Sequence, residues 1–165
     1  MKKVCLCILA LMLLLPVCAL GDGPVLLMEM PEDVQMVEDV AFDDGDFIQT
    51  YQLGGTSVHL LRYTAFDMTL EELVQSEWTD ARDISALALS SVGSCTASGV
   101  RLSAGGEGAE LVDVTIIVAD YGEGKLVFEA VVPKTDAQGA AAVQKMIDTM
   151  DVLTDGVKSL EDEVG

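Results

Sequence analysis

Residues 110–153 constrain this chain more than any other stretch, because they spell out a strand, a turn, a second strand and a helix without interruption. Val112, Val114, Ile116 and Val118 lie two apart and share one face of an extended strand. The alternate positions, Leu111, Asp113, Thr115, Ile117, Ala119 and Tyr121, are mixed. One face is therefore expected to be buried and the other partly covered or wet. Gly122-Glu123-Gly124 tolerates the positive φ of a tight hairpin. The chain returns with Leu126, Phe128, Ala130 and Val132 on one face and Val127, Glu129 and Val131 on the other. Pro133 has no N–H to give and ends the ladder. Thr135 with Gln138 three residues on predicts a capping box. Val143, Met146, Ile147, Met150 and Leu153 then form an apolar stripe at helical spacing. A stripe with methionines also suits a binding groove, but the adjacent sheet needs a cover, so the stripe is read as core.

Residues 1–21 read as a secretory signal and not as part of the fold. Lys2 and Lys3 precede an apolar run over residues 4–15, short for a bilayer span and broken by Pro16. Ala19-Leu20-Gly21 places small residues at −3 and −1 of a cut before Asp22. Cys18, with Leu15 three residues earlier, allows the alternative of a lipoprotein anchored at Cys18; Val17 speaks against it, since Gly, Ala or Ser normally precedes a lipidated cysteine. Residues 22–154 then form a single α+β domain, and residues 155–165 an acidic flexible tail. No second segment resembles a transmembrane span.

The chain carries a net charge of −19, and losing Lys2 and Lys3 makes it more negative. That surface disfavours nucleic acid, whose phosphates demand a basic face, and anionic membrane. It permits cationic partners or calcium, and it serves solubility outside the cell. Of the cysteines only Cys95 lies beyond the leader, so neither an intrachain disulfide nor a cysteine zinc cluster can form. No basic neighbour in sequence activates Cys95, which reads as a buried inert thiol.

Ahead of the central stretch, residues 25–30 predict a short strand before Pro31, and residues 33–38 continue extended. Residues 47–53 and 56–65 form a hairpin around Gly54-Gly55. Thr69 and Glu72 make a capping box for a helix over residues 70–81, with Leu70, Leu73, Val74, Trp78 and Ala81 at helical spacing. Residues 83–91 suit either a short helix or a strand, and residues 96–104 read as a strand interrupted at Gly99. Hairpins imply a mostly antiparallel sheet, and two amphipathic helices packed on it imply an α+β layered domain. This element order, with the ending Phe128-Glu129-Ala130-Val131-Val132 and Met146-Ile147-Asp148-Thr149-Met150, resembles the PsbP-like fold over residues 25–153. The resemblance implies an α/β/α sandwich, similar to small exported bacterial proteins of unassigned role and to a fold used for accessory binding. It brings no catalytic motif and transfers no functional residue.

His59 is the only histidine, and any Ser or Cys hydrolase would depend on it as base. Ser57 lies two residues away, yet there is no G-x-S-x-G elbow, so His59 reads as a satisfied strand residue. Asp43, Asp44 and Asp46 form a compact oxygen cluster and are the candidate metal ligands, for calcium, with Glu38 and Asp39 upstream. The EF-hand pattern is absent, and Asp and Gly equally suit a solvated turn. Residues 105–108, Gly-Gly-Glu-Gly, lack the Lys-Ser/Thr of a phosphate loop and precede a strand, so they read as a plain loop. The expected function is an exported, non-enzymatic accessory or binding domain without a cofactor, whose partner is an envelope or secreted protein. The alternatives are a calcium or small-ligand module built on acidic loops, and, less favoured, an enzyme using His59.

Overall fold

The computed structural model describes residues 23–105 and 110–154. The leader, the Gly-rich loop after Gly105 and the acidic tail lie outside the described residues. Ten strands and two helices are present among the described residues: β1 (Val25–Leu27), β2 (Gln35–Ala41), β3 (Phe47–Leu53), β4 (Thr56–Tyr63), α1 (Leu70–Glu77), β5 (Arg82–Ala86), β6 (Ser91–Val92), β7 (Cys95–Ala104), β8 (Val112–Asp120), β9 (Lys125–Pro133), α2 (Ala137–Asp148) and β10 (Asp151–Leu153).

The main sheet is eight-stranded, in the order β2-β3-β4-β9-β8-β7-β5, with β6 beside β7. Every pairing in it is antiparallel. The β3–β4 and β8–β9 hairpins join through β4 and β9, from Ser57 opposite Val131 to Tyr63 opposite Lys125. The expected α+β class with a mostly antiparallel sheet is thus observed. One helix lies against each face. Leu73 and Val74 of α1 pack with Val114, Ile116, Val118 and Val127. Val143 and Met146 of α2 pack with Leu126, Phe128, Ala130 and Val132. Phe128, Ile116, Ile117 and Leu126 are almost fully buried, and each such side chain contributes about 2 kcal/mol of transfer free energy.

Several expectations change in detail. The second face of β8 is covered as well: Ile117 and Ala119 are buried in the α2-side core, because α2, β1 and β10 pack over that face. Gly99 does not interrupt β7. A Cβ there would sit 2.8 Å from Leu87 Cδ1 and 3.1 Å from the Ile116 carbonyl oxygen, so glycine lets the β5–β6 connection lie on the strand. Residues 83–91, left between helix and strand by their sequence, hold most of β5 and the start of β6. The first helix stops at Glu77, where Trp78 N–H bonds the Val74 carbonyl and leaves the helical path. The second helix is capped by Asp136 and not by Thr135: the Asp136 carboxylate accepts from Gly139 N–H at 2.8 Å and from Thr56 Oγ1 at 2.8 Å. That helix ends at Asp148, and Leu153 belongs to β10, which pairs with β1 in a separate two-stranded ladder. Val25, Leu26 and Val152 of this ladder close the α2-side core.

Candidate functional site

Strand register on the α1 side of the sheet builds a polar row across four neighbouring strands. Glu38 of β2 lies opposite Thr50 of β3, Thr50 opposite His59 of β4, and His59 opposite Glu129 of β9. Thr50 Oγ1 donates to Glu38 Oε2 at 2.9 Å and lies 3.1 Å from His59 Nδ1. One hydroxyl hydrogen cannot serve both partners. The bond to Glu38 therefore assigns the proton of the second contact to His59 Nδ1, which donates to Thr50. At the far end of the row Trp78 Nε1 donates to Glu129 Oε2 at 3.3 Å. Burial pushes the Glu129 carboxyl above its ordinary range and Glu77 adds to this, while the Trp78 bond and His59 oppose it. Burial, helped by Glu77, Asp46 and Glu129, likewise raises the Tyr63 phenol.

His59, Leu61, Tyr63, Val127 and Glu129 of the sheet and Leu73 and Glu77 of α1 line an open cleft of about 240 Å³. The cleft offers carboxylates and an imidazole but no paired nucleophile. Cys95 is buried in the core on the opposite side of the sheet, with Phe128 and Met146. His59 Nδ1 is engaged by Thr50, and no hydrogen bond joins Ser57 to His59 among the described residues.

A second and larger hollow, of about 560 Å³, runs along α2 over β7 and β8. Arg101, Ser103, Asp113 and Thr115 floor it, and Ala137, Ala140 and Ala141 form its helical wall. Its polar groups are mutually engaged: Ser103 Oγ donates to Asp113 Oδ1 at 3.0 Å, Lys134 Nζ is 3.4 Å from the same oxygen, and the Arg101 guanidinium donates to Gln144.

The candidate calcium ligands Asp43, Asp44 and Asp46 sit in the β2–β3 turn, where backbone demands occupy two of them. Asp44 Oδ1 accepts from Asp46 N–H at 3.1 Å. Asp46 Oδ1 accepts from Thr64 N–H at 2.6 Å and Thr64 Oγ1 at 2.9 Å, tying the turn to the end of β4. Among the described residues no three His, Cys, Asp or Glu side chains are grouped to hold a metal ion.

The sheet also presents an uncovered end. Every residue of β2 is exposed, on both faces. Met36, Val37, Val40 and, just beyond the strand, Phe42 are exposed by 44, 59, 38 and 49 %. Sequence reasoning missed both this edge and the Glu38–Thr50–His59–Glu129 row. The detectable signal was Glu129, a lone carboxylate between Val127 and Val131 on an otherwise apolar strand face. Its neighbour across the sheet required the register.

No family model matches the sequence, and no curated protein matches it. A crystal structure of LpqN, described as involved in cell envelope biogenesis of Mycobacterium tuberculosis, is similar over 84 % of this chain and 89 % of that chain, with 14 % sequence identity and a TM-score of 0.46.

Proposed function

We propose that this chain is an exported, non-enzymatic binding domain that engages a protein partner through the β2 end of its sheet. The observation that carries the reading is the continuous exposure of β2 with Met36, Val37, Val40 and Phe42 along it. Single exposed apolar residues are ordinary on protein surfaces, but four within one short, unpaired edge segment, standing on both faces of the strand, mark that edge as an interaction site. The absence of a paired nucleophile at His59 among the described residues and the element-order resemblance to PsbP-like proteins support the same reading. Export rests on the leader, with a cut before Asp22 or, alternatively, a lipid anchor at Cys18. No helix among the described residues is long and apolar enough to cross a membrane. A calcium module at Asp43, Asp44 and Asp46 has weaker support, because the turn itself occupies oxygens of two of the three.

Photo-crosslinking residues placed at Val37 and Val40 test the reading in the exporting cell, with Gln75 on the exposed side of α1 as control. One defined protein adduct from the β2 positions and none from Gln75 is expected. Equal or absent labelling from all three positions would refute it.

A further inference from the structure

We infer that the partner contributes an extended, basic segment that adds as a further strand to the outer edge of β2. This rests on the reading of β2 as the interaction surface and specifies what binds there. Among the described residues β2 pairs only with β3, so its outward N–H and C=O groups form a template for another strand. Val37 is an extra residue between the pairs Met36–Tyr51 and Glu38–Thr50, and beyond it the register runs unbroken from Glu38 to Ala41. The ladder available to a partner is therefore centred on Glu38–Ala41.

Charge selects the occupant. Residues 22–61 contain no lysine or arginine, and the first basic residue after them, Arg62, is buried. Among the described residues Glu38 and Asp39 accept hydrogen bonds from the neutral groups of Thr50 and Gln49 and are paired with no cation. A second copy of this chain laid along β2 would oppose carboxylates with carboxylates, and like charges directly across a strand pair destabilise it. A segment that places basic residues beside Glu38 and Asp39 and apolar ones beside Val40 and Ala41 is complementary. The opposite edge of the sheet is the poorer template: β5 has a register break between Arg82 and Ser85, and Asp83 within it has a φ of 54°.

The test uses the full chain and three synthetic peptides. One alternates paired lysines with paired valines, the second is the same peptide N-methylated along its backbone, and the third has glutamate in place of lysine. The lysine peptide is expected to bind and to slow amide hydrogen exchange in residues 38–41, with no slowing in β5. N-methylation keeps the charge but removes the N–H donors, so at least a tenfold loss of affinity is expected. The glutamate peptide is expected not to bind the parent and to bind an E38K/D39K chain. Equal binding of the lysine peptide and its N-methylated twin would reduce the effect to nonspecific charge and overturn the inference. So would absence of protection in β2. Crosslinking from Val37 and Val40 that persists when the lysine peptide fails to bind would leave β2 as the interaction surface while rejecting strand addition.

Discussion

Asp136 and Thr135 are both good helix caps by residue type, and the choice between them is made elsewhere in the chain. Thr56 of β4 reaches the Asp136 carboxylate, and a Cβ at Gly139 would collide with that same threonine hydroxyl. Local spacing reveals that a cap is present but not which residue supplies it, because the deciding donor is 80 positions away. Asp136→Ala is expected to lower the urea unfolding midpoint measurably, and Thr135→Ala to leave it nearly unchanged. Glu129 makes a different kind of prediction. Its folded-state carboxyl is raised by burial, so its contribution to stability is complete while it is protonated in both states. That contribution is lost as pH rises from the ordinary value of 4.5 through the higher folded value. Glu129→Gln is expected to leave a chain more stable than the parent at pH 8, with the difference closing toward pH 4. Trp78 is the single tryptophan and donates to Glu129, so its emission reports the same titration. A midpoint above the usual carboxylate range in the parent, and its disappearance in the glutamine variant, is the expected outcome.

At the level of elements, hydrophobic period located most of the strands and both helices, because burial alternates with the pleat throughout β4 and over the first half of β7. It could not see where elements yield to partners distant in sequence. The stripe from Val143 to Leu153 continues in helical phase, yet after Thr149 the chain turns extended to meet β1. Gly99 resembles a strand breaker by type and is instead the point where Leu87 crosses β7. Gly99→Ala is expected to destabilise by about 1–3 kcal/mol, since one of the crowding atoms is a backbone carbonyl that cannot rotate away. Arg62 gave no local signal of its role. Arg62 is 3 % exposed, and its guanidinium donates to the Gly45 carbonyl at 2.7 Å and the Pro24 carbonyl at 3.3 Å and lies 5.0 Å from the Phe47 ring centroid. Arg62→Met would keep the aliphatic stem but leave both carbonyls without this donor, for an expected loss of about 3 kcal/mol by chemical denaturation. Faster amide exchange at Gly45 is the local sign to look for.

Across the whole molecule, two cores on opposite faces of one sheet resist the mutual repulsion of a chain with net charge −19. Screening shortens the reach of that repulsion to about 8 Å at 0.15 M salt, so the thermal midpoint is expected to rise from low salt to 0.5 M sodium chloride. A flat or falling response would show that local ion pairs such as Lys145–Glu29 outweigh the global term. The α+β class was legible at this scale from element order. The joining of the two hairpins through β4 and β9 was not, because antiparallel hairpins can be ordered in several ways. The small β1–β10 ladder has a mechanical consequence. Val25 faces Leu153 at its outer end and Leu27 faces Asp151 at its inner end, so the chain enters and leaves at the same end of the pair. A pull applied across residues 23 and 154 acts at right angles to those strands and opens the pairs one after another, beginning with Val25–Leu153. Peeled in this way, the ladder would give way at low force and uncover the α2-side core while β3, β4, β8 and β9 remained joined. This domain would bear tension poorly between its ends, and its first extension would be a short release of chain ahead of any rupture of the main sheet.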